Sequence, residues 1–247
     1  MTISEPESET VAFPFLEHIG ETAFMSELIA GPATEHKGER PRSLGEELAN
    51  SMSHGFGLIL ALVAVPVLVT AALRVGKASF VVGVSVFGAS MVVLYLASTL
   101  YHSLTHERAK QVARAIDHSA IFLLIAGSYT PFTLGVLRGP WGWTLLGIVW
   151  GLAVIGLTLK AIGGTRQKWI AIGLYLAMGW LALVAIKPTL TLIPLPGVLL
   201  ILAGGAAYTG GLGFFAAHRL RYNHFIWHLF VIAGTTCHFF AVLWYAA

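Results

Sequence analysis

Residues 79–102, SFVVGVSVFGASMVVLYLASTLYH, run without one Asp, Glu, Lys or Arg, and they decide the fold class. Coiled as a helix rising about 1.5 Å per residue, the stretch crosses the ~30 Å hydrocarbon core of a bilayer. It also carries two groups that hydrocarbon does not favour, Ser98 and His102, one helical turn apart on a shared face.

Working outward, apolar stretches of roughly 18 to 24 residues recur at 54–73, 117–137, 141–161, 168–187, 196–217 and 224–245. Short charged or Pro/Gly-bearing breaks separate them, the longest being 103–116, and prolines 188, 194 and 196 blur the limit between the fifth and sixth. At 56% hydrophobic and 11% charged, with a mean hydropathy of +0.77, the chain has too few charges to cover a water-soluble surface. In lipid every backbone group must be satisfied internally, which leaves helices for segments of this kind. The expectation is an all-α polytopic membrane protein, a bundle of seven transmembrane helices.

Orientation follows from Lys and Arg, which concentrate in cytoplasmic loops. With the N-terminus inside, the inner segments hold Lys37, Arg40, Arg42, Arg108, Lys110, Arg114, Lys160, Arg166, Lys168, Arg219 and Arg221, and the outer ones only Arg74, Lys77, Arg138 and Lys187. A cytoplasmic N-terminus and an outside C-terminus are expected. The ionisable residues then share one depth. His102 closes the second helix on the cytoplasmic side, Asp117 opens the third there, and His224 and His228 open the seventh.

Asp117 is the only aspartate and, apart from Glu107, the only acid after Glu47. An ionisable group at the edge of a membrane span is costly and marks a functional site by default. His224 and His228 stand at i and i+4, a spacing that suits either two interfacial side chains or two ligands of one metal. His102 supplies a third imidazole. Three neutral imidazoles leave tetrahedral Zn²⁺ one position for water, whose proton Asp117 could take while Ser98 donates to a developing oxyanion.

Glu46, Asn50, Ser53 and His54 form a polar stripe ahead of the first helix, read either as groups steadying a metal ligand or a loop, or as an ordinary polar helix start. His238, about 15 Å deeper than His228, reads as a hydrogen-bonded interhelical histidine. His106, His118 and His218 read as solvated or facing headgroups, with His118 a weak candidate beside Asp117. The run Gly127-Ser-Tyr-Thr-Pro131 predicts a local kink in which Ser128 and Thr130 satisfy backbone groups released by the proline.

The lone Cys237 excludes a disulfide framework and a thiolate metal site. The +3 formal charge reflects basic loops facing anionic lipid, so nucleic acid is not a partner. Residues 1–42, rich in Glu and lacking the basic and apolar regions of a cleavable signal, read as a polar cytosolic extension, largely disordered, with room for a short interfacial helix near 13–28. The seven-helix domain occupies 43–247.

Glu46-x3-Asn50-x2-Ser53-His54, Ser98-x3-His102, Asp117 with the following Gly127-Ser-Tyr-Thr-Pro131, and His224-x3-His228 together resemble the hemolysin III branch of the progestin and adiponectin receptor (PAQR) superfamily over residues 43–247. The resemblance implies a seven-helix protein with a zinc ion near the cytoplasmic side, held by His102, His224 and His228, with Asp117 on the bound water and Ser98 close by. It also implies kinship with alkaline ceramidases. A zinc-dependent hydrolase of lipid amides or esters, serving membrane lipid homeostasis in a bacterial cytoplasmic (inner) membrane, is one expectation, with membrane lipid as substrate or ligand. The alternative is a non-catalytic sensor or receptor with structural zinc, or a pore-forming cytolysin. The sequence carries no signature of a particular oligomer.

Overall fold

The computed structural model describes residues 41–163 and 168–247, and every described regular element in it is helical. The elements are α1 (Leu44–Val75), α2 (Ala78–Ser103), α3 (Glu107–Leu134), α4 (Pro140–Ala161), α5 (Lys168–Gly179), a 3-10 turn (Leu181–Ala185), α6 (Ile186–Leu192), α7 (Leu195–Ala216) and α8 (Asn223–Tyr245). Six helical stretches are long and apolar enough to cross a membrane, with the 3-10 turn and α6 joined to α5 in one of them. The polar extension expected at 1–42 lies, apart from its last two residues, outside the described residues.

α1 starts ten residues earlier than the hydropathy pattern predicts. Ser43 caps it, its hydroxyl accepting from the Glu46 N–H while the Glu46 carboxylate accepts from the Ser43 N–H, a reciprocal capping box. The polar stripe from Glu46 to His54 is therefore helical. Thirty-two residues are about 48 Å of helix, so the first turns stand clear of a ~30 Å hydrocarbon core. One face of α1 buries Glu46, Asn50, Ser53, His54 and Gly57, and the opposite face exposes Leu48, Met52, Phe56, Ile59 and Val63. Gly76, at φ 75°, ends the helix by donating to the Ala72 and Leu73 carbonyls.

α3 also begins early, at Glu107 instead of Asp117. Most of the segment expected to be a loop is helix, capped by His106, whose ring accepts from the Ala109 N–H. A pattern search misses these turns because they carry Glu107, Arg108, Lys110 and Arg114. α3 is the long helix that falls outside the six membrane-length stretches.

The fifth expected helix is continuous only to Gly179. Pro188 cannot donate to the Val184 carbonyl, which lies within the 3-10 turn. Tyr129 of α3 serves the break: its hydroxyl lies 2.9 and 2.8 Å from the Met178 and Gly179 carbonyls and accepts from the Ala182 N–H at 3.0 Å.

Pro131 does not end α3. Ser128 and Thr130 donate to the carbonyls of Ile125 and Ala126, not to that of Gly127, the acceptor Pro131 leaves without a donor four residues on. Close approach of α2 and α3 depends on Gly83, where an added Cβ would stand 2.8 Å from the Pro131 Cα.

Candidate metal centre

Two helices deliver the imidazoles. His102 comes from the last turn of α2, and His224 and His228 come from the first two turns of α8; all three are buried. Their ring centroids are 5.0 Å (His102 to His224), 5.2 Å (His102 to His228) and 4.6 Å (His224 to His228) apart. One nitrogen from each lies within 4.8 Å of the others.

The hydrogen bonds around the rings set which nitrogens are free. Glu47 Oε2 is 2.7 Å from His102 Nδ1, so the carboxylate accepts a hydrogen bond from Nδ1–H and leaves Nε2 as a buried lone pair without a partner. His228 Nδ1 lies 3.1 Å from the Asn50 carbonyl and 3.0 Å from Ser53 Oγ, which itself donates to that carbonyl at 2.8 Å. Both nitrogens of His224 are buried and unpartnered. A buried imidazole nitrogen without a hydrogen bond is costly. His102 and His224 carry such nitrogens, and with His228 beside them the three converging rings are a donor set that fits a cation with a preference for nitrogen.

α1 closes the centre from the other side. His54 stacks on His228, centroids 3.5 Å apart and planes 9° from parallel, and meets Tyr95 edge-on at 5.1 Å. It does not belong to the three-histidine group. Glu46 does two jobs, the capping box and a hydrogen bond from the Tyr222 N–H at 3.0 Å. Tyr222 adopts φ 57° immediately before α8, so this contact holds the strained residue from which His224 and His228 emerge. Of the stripe, Asn50 and Ser53 thus bear on His228, and Glu46 on the turn.

Asp117 and Ser98 are buried on facing helices α3 and α2. The carboxylate faces the Ser98 hydroxyl, which makes no hydrogen bond of good geometry. His118 departs from the solvated reading: it sits between helices, with Lys160 Nζ 3.4 Å from its Nδ1 and the Tyr175 hydroxyl donating to its carbonyl at 2.9 Å. His106 is the exposed cap of α3. His238 is interhelical, its Nε2 3.3 Å from the Ile201 carbonyl.

The residue that sequence reasoning passes over is Glu47. Its position three residues before Asn50 and seven before His54 puts it on the site face of α1, but that signal appears only once the helix is known to start at Leu44.

Below the histidines lies an apolar cavity bounded by α3 to α8. Its walls begin at Ile121, one turn below Asp117, and at Trp227 and Val231, beside and one turn below His228. Among the described residues no Asp, Glu, Lys or Arg lines it.

The haemolysin-III related family profile matches residues 42–239, the whole stretch from the α1 cap to α8. The chain belongs to the haemolysin III family. It is 46% identical over 212 residues to Hemolysin-3 of Bacillus cereus, covering 86% of this chain and 97% of that protein. Hemolysin-3 homolog of Bacillus subtilis (strain 168) is 43% identical over 203 residues, covering 82% and 95%. Human Monocyte to macrophage differentiation factor is 25% identical over 166 residues, covering 64% and 67%, and this wider kinship supports the PAQR superfamily. Like its apolar helices, these bacterial relatives mark this haemolysin III family member as a multi-pass integral membrane protein of the bacterial cytoplasmic membrane.

Proposed function

We propose that the protein is a zinc-dependent intramembrane hydrolase of lipid amide or ester bonds, with seven spans, a cytoplasmic N-terminus and an outside C-terminus. The observation that carries this reading is the union of three buried imidazoles, two of them (His102 and His224) with nitrogens lacking partners, and an apolar cavity that starts one turn deeper. The excess of Lys and Arg in the segments on the histidine side supports the orientation. The proposed seventh span is α3, whose 28 residues supplement the six membrane-length stretches.

His102, His224 and His228 would hold the ion. Bound zinc would supply Lewis-acid polarisation of water and of the carbonyl under attack. Glu47 fixes the His102 ring and the Asn50 carbonyl fixes that of His228, so neither donor turns away. Asp117, buried beside Ser98, accepts the proton of the attacking water, and the Ser98 hydroxyl donates to the oxygen that gains charge. The cavity takes the hydrocarbon chain and keeps bulk water out. A pore would need a polar path, whereas this cavity has no charged lining among the described residues.

The test is release of fatty acid from a panel of lipid amides and esters by purified wild type, by chelated protein and by His228→Ala, each with its zinc content measured. Cleavage by the zinc-loaded wild type alone supports the reading. Zinc-loaded wild type that cleaves no member of the panel contradicts it.

A further inference from the structure

Three cations turn towards the metal centre instead of out to water. Arg42 Nη1 donates to the Tyr101 hydroxyl at 3.3 Å, and Lys110 Nζ lies 5.5 Å from the centre of the Tyr101 ring; Tyr101 itself packs on His102 at 4.4 Å. On the other side Lys160 meets the His118 ring at 3.4 Å. All three are half-buried, and they come from the residue before the α1 cap, from α3 and from the end of α4. Arg114 adds its field to those of Arg42 and Lys160 at Asp117.

Their counter-charge is thin. Arg42 and Lys110 share one carboxylate, Glu47, at 4.0 and 3.4 Å, and that carboxylate already accepts from His102. Lys160 forms no ion pair within 4 Å among the described residues. The positive-inside rule explains why cations lie on this side of the membrane. It does not explain partial burial around the site, since Arg108, Arg219 and Arg221 meet the rule while exposed. Besides Glu47, the acid within reach of this group is Asp117, whose field acts on Lys160; partly desolvated cations that outnumber their carboxylates form a receptor for an anion.

The cavity meets this group. Tyr175 lines the cavity and donates to the His118 carbonyl, while Lys160 contacts the ring of the same His118, so a single residue separates the apolar wall from the ammonium. Building on the hydrolase reading above, we infer that the lipid taken by this site carries a phosphate, seated among Arg42, Lys110 and Lys160 at the cytoplasmic rim, with its chains in the cavity. Neutral lipids such as ceramides are then poorer ligands than phosphatidylglycerol-like ones.

Full-length protein in phosphatidylcholine nanodiscs, titrated with phosphatidylglycerol of matched chains and read by native mass spectrometry, tests this without turnover. Phosphatidylglycerol should be retained in preference to phosphatidylcholine. Arg42→Gln and Lys160→Gln should each weaken its binding roughly fivefold, the equivalent of about 1 kcal/mol per cation. Lys160→Arg should restore it, and Arg219→Gln, an exposed cation on the same side, should leave it unchanged. Equal retention of the two lipids, or equal losses in Arg219→Gln and Lys160→Gln, overturns the inference. Glycerol 3-phosphate binding as tightly as the lipid keeps the phosphate chemistry but overturns the lipid source. Selective binding by protein that hydrolyses nothing upholds the phosphate site and counts only against the hydrolase reading.

Discussion

Glu47 Oε2 stands 2.7 Å from Nδ1 of His102, across 55 residues of sequence, and fixes the tautomer that leaves Nε2 free. A carboxylate behind a metal-binding imidazole both aims the ring and raises its basicity, and loss of such a partner typically costs about 10- to 100-fold in metal affinity. Glu47→Gln should therefore weaken zinc retention by about tenfold, and Glu47→Ala by more, in competition against a graded chelator. Unchanged retention in both variants would remove Glu47 from this role.

Zinc that binds only the folded chain should also stabilise it. At a free concentration 100 times Kd the gain is about 2.7 kcal/mol. Thermal unfolding in detergent should show chelation lowering the Tm of wild type and leaving that of His228→Ala where it is. A chelator effect of equal size in both proteins would place the stabilising metal elsewhere.

Glu46 joins the start of α1 to the turn before α8. Glu46→Ala removes a capping box and leaves the Tyr222 N–H without its acceptor, a combined loss of about 2 kcal/mol. The variant should melt earlier than wild type and hold zinc less well, because His224 follows Tyr222 by two residues. Glu46→Gln keeps an acceptor and should recover most of both properties.

Gly83 lets α2 and α3 touch through backbone, with a Cβ there brought to 2.8 Å from the Pro131 Cα. Gly83→Ala should destabilise by about 1 to 3 kcal/mol, the usual cost of overpacking. The exposed Gly147, with open space around it, should tolerate alanine, and comparing the two melting curves checks the packing explanation.

Apolar length was enough to locate α2, α4, α7 and α8, whose sequences are hydrophobic almost end to end. It failed at α1 and α3, where the early turns trade hydrophobicity for capping and charge: Ser43 with Glu46, and His106 ahead of Glu107 to Arg114. Those polar turns hold Glu47, Lys110 and Arg114, so the same failure hid the carboxylate behind His102 and the cations at the rim. The three imidazoles were legible because i, i+4 spacing fixes neighbours within a helix and charge distribution fixes which helix ends meet. His118 was misread because adjacency to a loop says nothing about α4 and α5, which supply Lys160 and Tyr175 across 42 and 57 residues.

The most direct test separates the carboxylate from the metal. Asp117→Asn preserves the shape of a buried side chain that belongs to none of the three imidazole ligands. The measurement is lipid hydrolysis alongside zinc content for wild type and Asp117→Asn. The account predicts equal zinc in both and hydrolysis slower by a factor on the order of 10² to 10⁴ in the variant, the range for loss of a positioned proton acceptor. Full hydrolysis by zinc-loaded Asp117→Asn would contradict it.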